Sequence, residues 1–179
     1  LAAYVQMRAR FPDLCLIVAP RHIERADEVL AAARAAGLTP ARRTQLAQAA
    51  GPARQIVLDT IGELASLYAV ADFAFVGNSF PPVVKGGGQN ILQPLAHGKP
   101  ALFGPLTETI RAETEMAIEA GVGFRVEDAR ALAAQGMRLL EDPAGRQALA
   151  TRALALMAAH RGAAARYAQA VAELAQAVS

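Results

Sequence analysis

The chain alternates short apolar runs with longer amphipathic segments, which is the pattern of strands and helices that follow each other in turn. The apolar runs predict strands at Asp13–Ala19, Thr39–Arg43, Gln55–Leu58, Asp72–Val76, Ala101–Phe103 and Gly123–Val126. The segments between them predict helices at Glu24–Ala36, Gly62–Ala69, Ile91–His97 and Glu108–Ala120, followed by tail helices at Asp128–Glu141, Ala144–His160 and Gly162–Val178.

Short apolar strands separated by helices favour a parallel sheet that is covered on both faces. We therefore predict a Rossmann-like three-layer α/β/α fold for residues 1–179, as a single domain with a helical tail at 144–179. Ligands of such folds bind at the carboxyl ends of the strands. Polar or glycine-rich clusters follow four of the predicted strands, after Ala19, Leu58, Val76 and Phe103. This pattern predicts a ligand site along one edge of the sheet.

The segment Gly77–Pro105 carries the strongest functional signal. It contains Gly86, Gly87 and Gly88, which lack Cβ atoms and so allow a ligand to approach the backbone closely. Asn90 is a good N-cap for the short helix that follows. Backbone N–H groups beside a helix N-terminus attract anions, so we expect the ligand to be phosphorylated.

Composition excludes several functional classes. The 179 residues are 54% hydrophobic and carry a net charge of only +2, which does not favour nucleic-acid binding. Dinucleotide, P-loop and nucleophile-elbow motifs are absent, as is an apolar run of transmembrane length, and we expect no signal peptide. The histidines His22, His97 and His160 have no metal-ligand spacing, and Cys15 is expected to be an inert, buried strand thiol.

Three segments together resemble the carboxy-terminal half of 3-deoxy-D-manno-octulosonic acid (Kdo) transferases. They are APRH at Ala19–His22, DTIGELASLYAVADFAFVGNS at Asp59–Ser79, and GGGQN-x-x-QPLAHGKPALFGP, which ends at Pro105. These proteins are glycosyltransferases of the GT-B fold that act in lipopolysaccharide biosynthesis. Leu1–Arg10 has the pattern of the second half of a helix, so we expect a fragment whose amino-terminal acceptor domain is absent.

The resemblance implies that the chain binds a nucleotide-sugar donor, CMP-Kdo. Arg21 matches the arginine that meets the charged part of the donor, and the turn at Ile61 and Gly62 matches the backbone that lies against the nucleotide. Asp59, Thr60 and Glu63 are equally compatible with capping the next helix. The candidate donor-binding residues are Arg21, His22, Ile61, Gly62, Ser79, Gly87, Gly88, Gln89, Asn90 and Gln93.

The chain departs from the family pattern at three places. Gln89 and Gln93 stand where the family usually has histidine and glutamate, and Thr109-Ile110 where it often has Asn-Phe. A glutamine has one acceptor oxygen, so Gln93 cannot accept from both ribose hydroxyls as a glutamate does. The loop from Ser79 to Asn90 also looks longer than is typical. These departures leave another nucleotide sugar open as the donor.

The resemblance further implies inverting transfer to a lipid A precursor, without a metal or a cofactor. The general base would come from the missing amino-terminal domain, so we expect no catalytic residue in this chain, and the fragment alone to be inactive. The full-length protein would work at the cytoplasmic face of the bacterial inner membrane. The alternatives are a GT-B enzyme or epimerase that uses another nucleotide sugar, and a non-catalytic α/β binding domain. We interpret His97 and Lys99 as structural, and Lys85 as a solvated side chain or a helper at the phosphate.

Overall fold

The computed structural model describes residues 1–48, 51–82 and 87–177, with side chains up to residue 160, and within these parts short strands alternate with helices. The strands are β1 (Leu16–Val18), β2 (Ala41–Arg42), β3 (Gln55–Val57), β4 (Ala74–Val76), β5 (Ala101–Phe103) and β6 (Gly123–Arg125). The helices are α1 (Ala2–Arg10), α2 (Ala26–Ala35), α3 (Leu64–Leu67), α4 (Leu92–Ala96), α5 (Arg111–Glu119), α6 (Ala129–Glu141) and α7 (Pro143–Ala177). Short 3₁₀ helices occupy Ile23–Arg25, Arg43–Gln48, Tyr68–Val70 and Glu108–Ile110.

The chain divides into two compact units. Unit 1 consists of Leu1–Ala71 and Val126–Asp142, and unit 2 of Asp72–Arg125 and Pro143–Ser179. Each unit contains one three-stranded parallel sheet, with the order β1-β3-β2 in unit 1 and β4-β5-β6 in unit 2. The prediction of an α/β fold built on parallel strands and flanking helices is confirmed. The apolar runs predict where the strands lie but not which strands pair with each other. In the structure the six strands form two separate three-stranded sheets, where the sequence predicted one sheet.

Unit 1 buries the inner face of α2 against its sheet. Ala26 and Leu30 of α2 form a cluster with Val57 of β3, because residues four apart on a helix lie on the same face. At the other end of the sheet, Tyr4 of α1 packs against Ala33 of α2. The Tyr4 hydroxyl accepts a 2.6 Å hydrogen bond from the buried Gln55 side chain and donates to the carbonyl oxygen of Leu14 at 2.9 Å. The polar groups in this core are therefore paired.

Unit 2 has the more completely buried core. Every residue of β5 is inaccessible to solvent, and so are the apolar side chains that pack around it. The fully buried large side chains of this unit include Ile91, Leu95, Leu102, Phe103 and Val122. A strand that is buried on both sides in this way is typical of parallel sheets. The carboxyl ends of β4 and β5 are thus held by a rigid support.

The tail differs from the sequence prediction. The pattern predicts separate helices at Ala144–His160 and Gly162–Val178, but the structure has the single helix α7 from Pro143 to Ala177. A glycine inside a helix costs only about 1 kcal/mol relative to alanine, so Gly162 is not sufficient to break an alanine-rich helix. The first part of α7 packs on α4, with Leu149 and Ala153 buried. The first part of the tail is thus a packing element of unit 2.

Two further details correct the sequence interpretation. β1 begins at Leu16, so Cys15 precedes the strand and is exposed, where burial was expected. The helix predicted at Ile91–His97 is the five-residue helix α4, and a helix this short has a weak macrodipole. The prediction of one domain for residues 1–179 stays a prediction. Within the described parts of the chain, no helix has both the length and the apolar character needed to cross a membrane.

Candidate functional site

In unit 1, the candidate residues lie on the loops that leave the carboxyl ends of β1 and β3. The two strands are parallel neighbours, with Val18 opposite Val57, so their following loops share one edge of the sheet. Arg21 and His22 follow β1 and are exposed. The imidazole Nδ1 of His22 lies 3.8 Å from Oε1 of Glu24. The predicted shared edge is therefore found for two of the four loops, those after β1 and β3. The other two loops follow β4 and β5, which pair in the sheet of unit 2, so the prediction of a single sheet edge for all four does not hold.

Asp59, which follows β3, is the anchor of this edge. Its Oδ1 accepts the backbone N–H of Thr44 at 3.0 Å, and its Oδ2 accepts the Thr44 hydroxyl at 2.7 Å. Arg42 donates to Oδ2 at 3.5 Å, and it also pairs with Asp27. Only 9% of the Asp59 side chain is exposed. Asp59 therefore ties the end of β2 to the loop after β3, and it does not cap a helix as one interpretation of the sequence suggested.

These contacts set the charge of Asp59. Desolvation is the largest single influence and favours the neutral acid, but the hydrogen bonds from Thr44, from its own backbone and from Arg42 together outweigh it. The pKa of Asp59 is consequently lowered from its ordinary value. The carboxylate is fully ionised at neutral pH and holds the loop as an anion.

Glu63 and Thr60 form a second contact on the same loop. The Thr60 hydroxyl donates to Glu63 Oε2, and Arg43 donates to Glu63 Oε1 at 2.9 Å. Glu63 occupies the N-cap position of α3, but no side chain caps that helix. Both carboxylates of the loop are thus engaged by residues at the end of β2.

The turn between these two anchors is open. The Ile61 side chain is 88% exposed, and Gly62 has a φ of +90°, in a region that favours glycine. A Cβ placed on Gly62 would meet nothing within 4 Å. The backbone of this turn is therefore accessible, as its assignment to the nucleotide requires, while the loop around it is fixed.

Arg42, Arg43 and Thr44 are the residues that the sequence interpretation missed. They lie at the carboxyl end of β2, which pairs with β3 in parallel, so they share its polar edge. The sequence did contain a signal for them, because Thr39–Arg43 was predicted as a strand. Ligands of such folds bind at the carboxyl ends of strands, so the residues at the end of this strand could have been included with the loops after β1 and β3.

In unit 2, Ser79 has a structural position. Its side chain is fully buried; the hydroxyl donates to the Val76 carbonyl at 2.7 Å and accepts the Gly104 N–H at 2.9 Å. Its carbonyl accepts from Leu106 at 3.0 Å. The sequence interpretation of this residue as an added hydroxyl for the donor needs correction, because the hydroxyl instead links the ends of β4 and β5.

Gly87 and Gly88 are held by the segment that follows β5. The Gly87 N–H donates to Glu108 Oε2 at 3.2 Å, and the Thr109 hydroxyl donates to the Gly87 carbonyl at 2.8 Å. The Gly88 N–H donates to the Asn78 carbonyl at 2.6 Å. We expected the backbone N–H groups of these glycines to be available to an anionic ligand, but in both glycines the N–H already donates within the protein. Gly86 and Lys85 lie outside the described residues.

Both glycines are required by close approach. A Cβ on Gly87 would lie 2.1 Å from the Leu106 carbonyl oxygen, and a Cβ on Gly88 would lie 2.5 Å from the Ile110 side chain. Gly88 also has a φ of +99°. No larger residue fits without displacing the segment 106–110. The glycines thus serve packing as well as any ligand.

Asn90 and Gln93 face solvent at the start of α4, and Gln89 is half-buried. The Asn90 Oδ1 accepts the Leu92 N–H at 2.9 Å, which forms a turn just before α4. The N-cap of α4 is Ile91, without a side-chain cap, so the prediction of Asn90 as the N-cap is wrong, because the helix begins one residue later than the pattern suggested. The Gln93 side chain is exposed, and the backbone carbonyl oxygen of Gln93 lies 3.0 Å from Nδ1 of His97. His97 therefore has a structural contact.

Glu108 is a further charged group next to the glycines. Hydrogen bonds from its own backbone N–H and from that of Gly87 lower its pKa, and Arg111 contributes a weaker attraction. The ionised carboxylate of Glu108 accepts a hydrogen bond from the Gly87 N–H, and backbone N–H groups are also the donors that bind phosphate in many proteins. Among the described residues, no three His, Cys, Asp or Glu side chains lie close enough together to hold a metal ion. The exposed candidate groups of unit 1 are the Arg21 guanidinium and the backbone of the turn at Ile61 and Gly62. Those of unit 2 are the neutral side chains of Asn90 and Gln93.

Comparisons with known proteins place this arrangement in a family. No family model matches the chain. The 3-deoxy-D-manno-octulosonic acid transferase of Bordetella pertussis is 41% identical over 157 residues, which is 87% of this chain and 36% of that protein. The corresponding transferase of Aquifex aeolicus is 32% identical over 140 residues, or 78% of this chain and 37% of that protein. The chain thus spans little more than a third of these relatives.

A solved structure gives the matching fold. The crystal structure of the C-terminal CMP-Kdo binding domain of WaaA from Acinetobacter baumannii matches with a TM-score of 0.77 and 28% identity, over 87% of this chain and 79% of that one. The fold and the sequence likeness agree with the resemblance seen in the motifs. The chain belongs to the 3-deoxy-D-manno-octulosonic acid transferase family of glycosyltransferases, and its fold is that of the family's carboxy-terminal domain.

Proposed function

We propose that the chain binds CMP-Kdo as the donor-binding portion of a Kdo transferase. The single observation that carries this proposal is the likeness in fold and sequence to the CMP-Kdo binding domain of WaaA. The chain spans a minor share of its relatives, so the activity proposed belongs to the whole enzyme. That enzyme transfers Kdo from CMP-Kdo to a lipid A precursor in lipopolysaccharide biosynthesis, at the cytoplasmic face of the inner membrane.

The chemistry of unit 1 supports an anionic ligand. Arg21 is an exposed guanidinium at the carboxyl end of β1, and a guanidinium can grip a phosphate or a sugar carboxylate through two parallel hydrogen bonds. The open turn at Ile61 and Gly62 provides backbone that a flat nucleoside can approach. The anchored carboxylates Asp59 and Glu63 hold that turn in place, and their charge is already partnered by Arg42 and Arg43.

In unit 2, the side chains of Gln89, Asn90 and Gln93 provide amide groups close to the start of α4. Transfer from CMP-Kdo leaves negative charge on the departing CMP phosphate. Donors fixed before the reaction stabilise such charge without reorganising. The chain's contribution to catalysis is thus to hold the leaving group, and we assign the general base to the amino-terminal domain of the whole enzyme.

One observation favours a second candidate, a GT-B enzyme that uses a different nucleotide sugar. Gln93 stands where the family pattern has a glutamate, which changes the hydrogen bonds available to the ribose. A direct comparison of the affinities for different nucleotides therefore tests the donor specificity of this chain.

Isothermal titration calorimetry with CMP, CMP-Kdo and UDP separates the candidates. Binding of CMP and CMP-Kdo, with UDP much weaker, is the expected result. Preference for UDP would support the second candidate. If none of the three bound, the chain would be no donor-binding domain, and the proposal would be abandoned.

A further inference from the structure

Glu108 and Gly87 form a contact in unit 2 with no role in the function proposed above. The carboxylate of Glu108 accepts the backbone N–H of Gly87 at 3.2 Å. Gly87 is buried, whereas Glu108 is exposed on its other side. The Gly87 N–H therefore already donates to an anion, and this anion is a side chain of the protein itself.

The neighbouring contacts show that the contact is built into the loop. The hydroxyl of Thr109, the next residue along, donates to the Gly87 carbonyl at 2.8 Å, so consecutive side chains hold both polar groups of Gly87. The Leu106 backbone lies directly beneath, where a Cβ on Gly87 would come within 2.1 Å of its oxygen. These contacts hold Gly87 in place, so the hydrogen bond can be broken more readily by rotation of the Glu108 side chain than by movement of Gly87.

The two described glycine amides differ in this respect. The Gly88 N–H donates to the main-chain carbonyl of Asn78, and this acceptor can move only if the backbone moves. The Gly87 N–H donates to a side chain, which a rotation about its own bonds can remove. Arg111, three residues further along the chain, contributes a weaker electrostatic attraction to the same carboxylate.

We propose that Glu108 is an internal competitor for the donor phosphate, and that it must release the Gly87 N–H before the donor binds fully. This proposal rests on the proposed function and adds a regulatory step at the same site. One N–H cannot donate to two oxyanions at full strength, and a phosphate beside the ionised carboxylate is repelled by it. The competitor lowers donor affinity and, through its hydrogen bond, holds the Gly87 N–H in place until the donor arrives.

Charge removal tests the competition. Glu108→Gln keeps the shape and a neutral acceptor, and we expect CMP to bind about fivefold more tightly than to the unaltered chain at low ionic strength. The matched control is Glu115→Gln, which removes the same charge from an exposed position on α5. Thr109→Val loosens the hold on Gly87 without changing the charge. Neither control should tighten CMP binding.

Nuclear magnetic resonance tests the release directly in the unaltered chain. Titration with CMP should shift the Gly87 amide resonance and the side-chain carboxylate resonance of Glu108 together. Equal or weaker CMP binding by Glu108→Gln, or a Glu108 carboxylate that does not respond to CMP, would overturn the competitor role while leaving donor binding intact. If neither protein bound CMP, both the competitor role and the proposed function would fall.

Discussion

Thr44 donates both its backbone N–H and its hydroxyl to the carboxylate of Asp59, at 3.0 Å and 2.7 Å. The two residues come from different strand ends and are brought together by the parallel pairing of β2 with β3. The contact fixes the loop that carries the open turn at Ile61 and Gly62. It also makes the stability of unit 1 depend on the ionisation of one carboxyl group.

We expect Asp59→Asn to lower the free energy of unfolding by about 1–3 kcal/mol at pH 7, because hydrogen bonds to a charged acceptor are lost. The folded pKa of Asp59 lies below its ordinary value of 3.8, so its stabilisation is complete above that pH and is lost as the pH falls through the folded pKa. Urea unfolding between pH 7 and pH 2 measures this. The variant should lose less stability in acid than the unaltered chain does. Asp13→Asn, at a side chain that is 89% exposed, is the control, and equal acid profiles for all three proteins would contradict the assignment.

Ser79→Ala should destabilise unit 2. The change leaves the buried Gly104 N–H without its acceptor, which costs about 1–3 kcal/mol. Chemical denaturation measures this loss, with Ser66→Ala at an exposed position as the comparison. If the hydroxyl instead served the donor, stability would be unchanged and CMP affinity would fall.

Two glycines of the same segment should respond differently to alanine. Gly87→Ala drives a Cβ into the Leu106 carbonyl and should cost about 1–3 kcal/mol. Gly77 has no atom within 4 Å of the added methyl group, so Gly77→Ala should be neutral or slightly stabilising. Thermal unfolding compares the two variants. Equal melting temperatures would show that residues 106–110 do not hold Gly87 as described.

Arg21→Ala tests the guanidinium in the proposed donor site. The side chain is exposed, so we expect little change in stability, while CMP affinity should fall by about ten- to a hundredfold. Arg34→Ala removes the same charge from an exposed position on α2 and should leave binding near its original strength. Unchanged calorimetric affinity in Arg21→Ala would remove this residue from the site.

Gln93→Glu tests the ribose contact. A carboxylate can accept from two hydroxyls where the amide oxygen of glutamine accepts alone, so CMP affinity should rise by about five- to tenfold. Gln6→Glu, at an exposed position on α1, controls for the added negative charge. A weaker or unaltered affinity of Gln93→Glu would separate Gln93 from the ribose.

The local pattern of the sequence determined much of what the structure contains. Alternating apolar and amphipathic segments located the strands, and β5 was predicted residue for residue as Ala101–Phe103. Parallel strand order then implied that the loops after β1 and β3 share an edge, which the register of Val18 with Val57 confirms. The motifs in these loops were sufficient to indicate the family. Periodicity, glycine placement and capping are properties of neighbouring residues, and a sequence displays them directly.

Only the tertiary structure decided which partner each polar group takes. Thr44 with Asp59, and Glu108 with Gly87, are separated by 15 and 21 positions along the chain. No local pattern encodes these contacts, because they depend on strand pairing and on the close approach that glycine permits. The same reason explains why Ser79 forms internal hydrogen bonds and why the amides of Gly87 and Gly88 are occupied. The sequence names the groups that can bind an anion, and packing determines which of them the protein already uses.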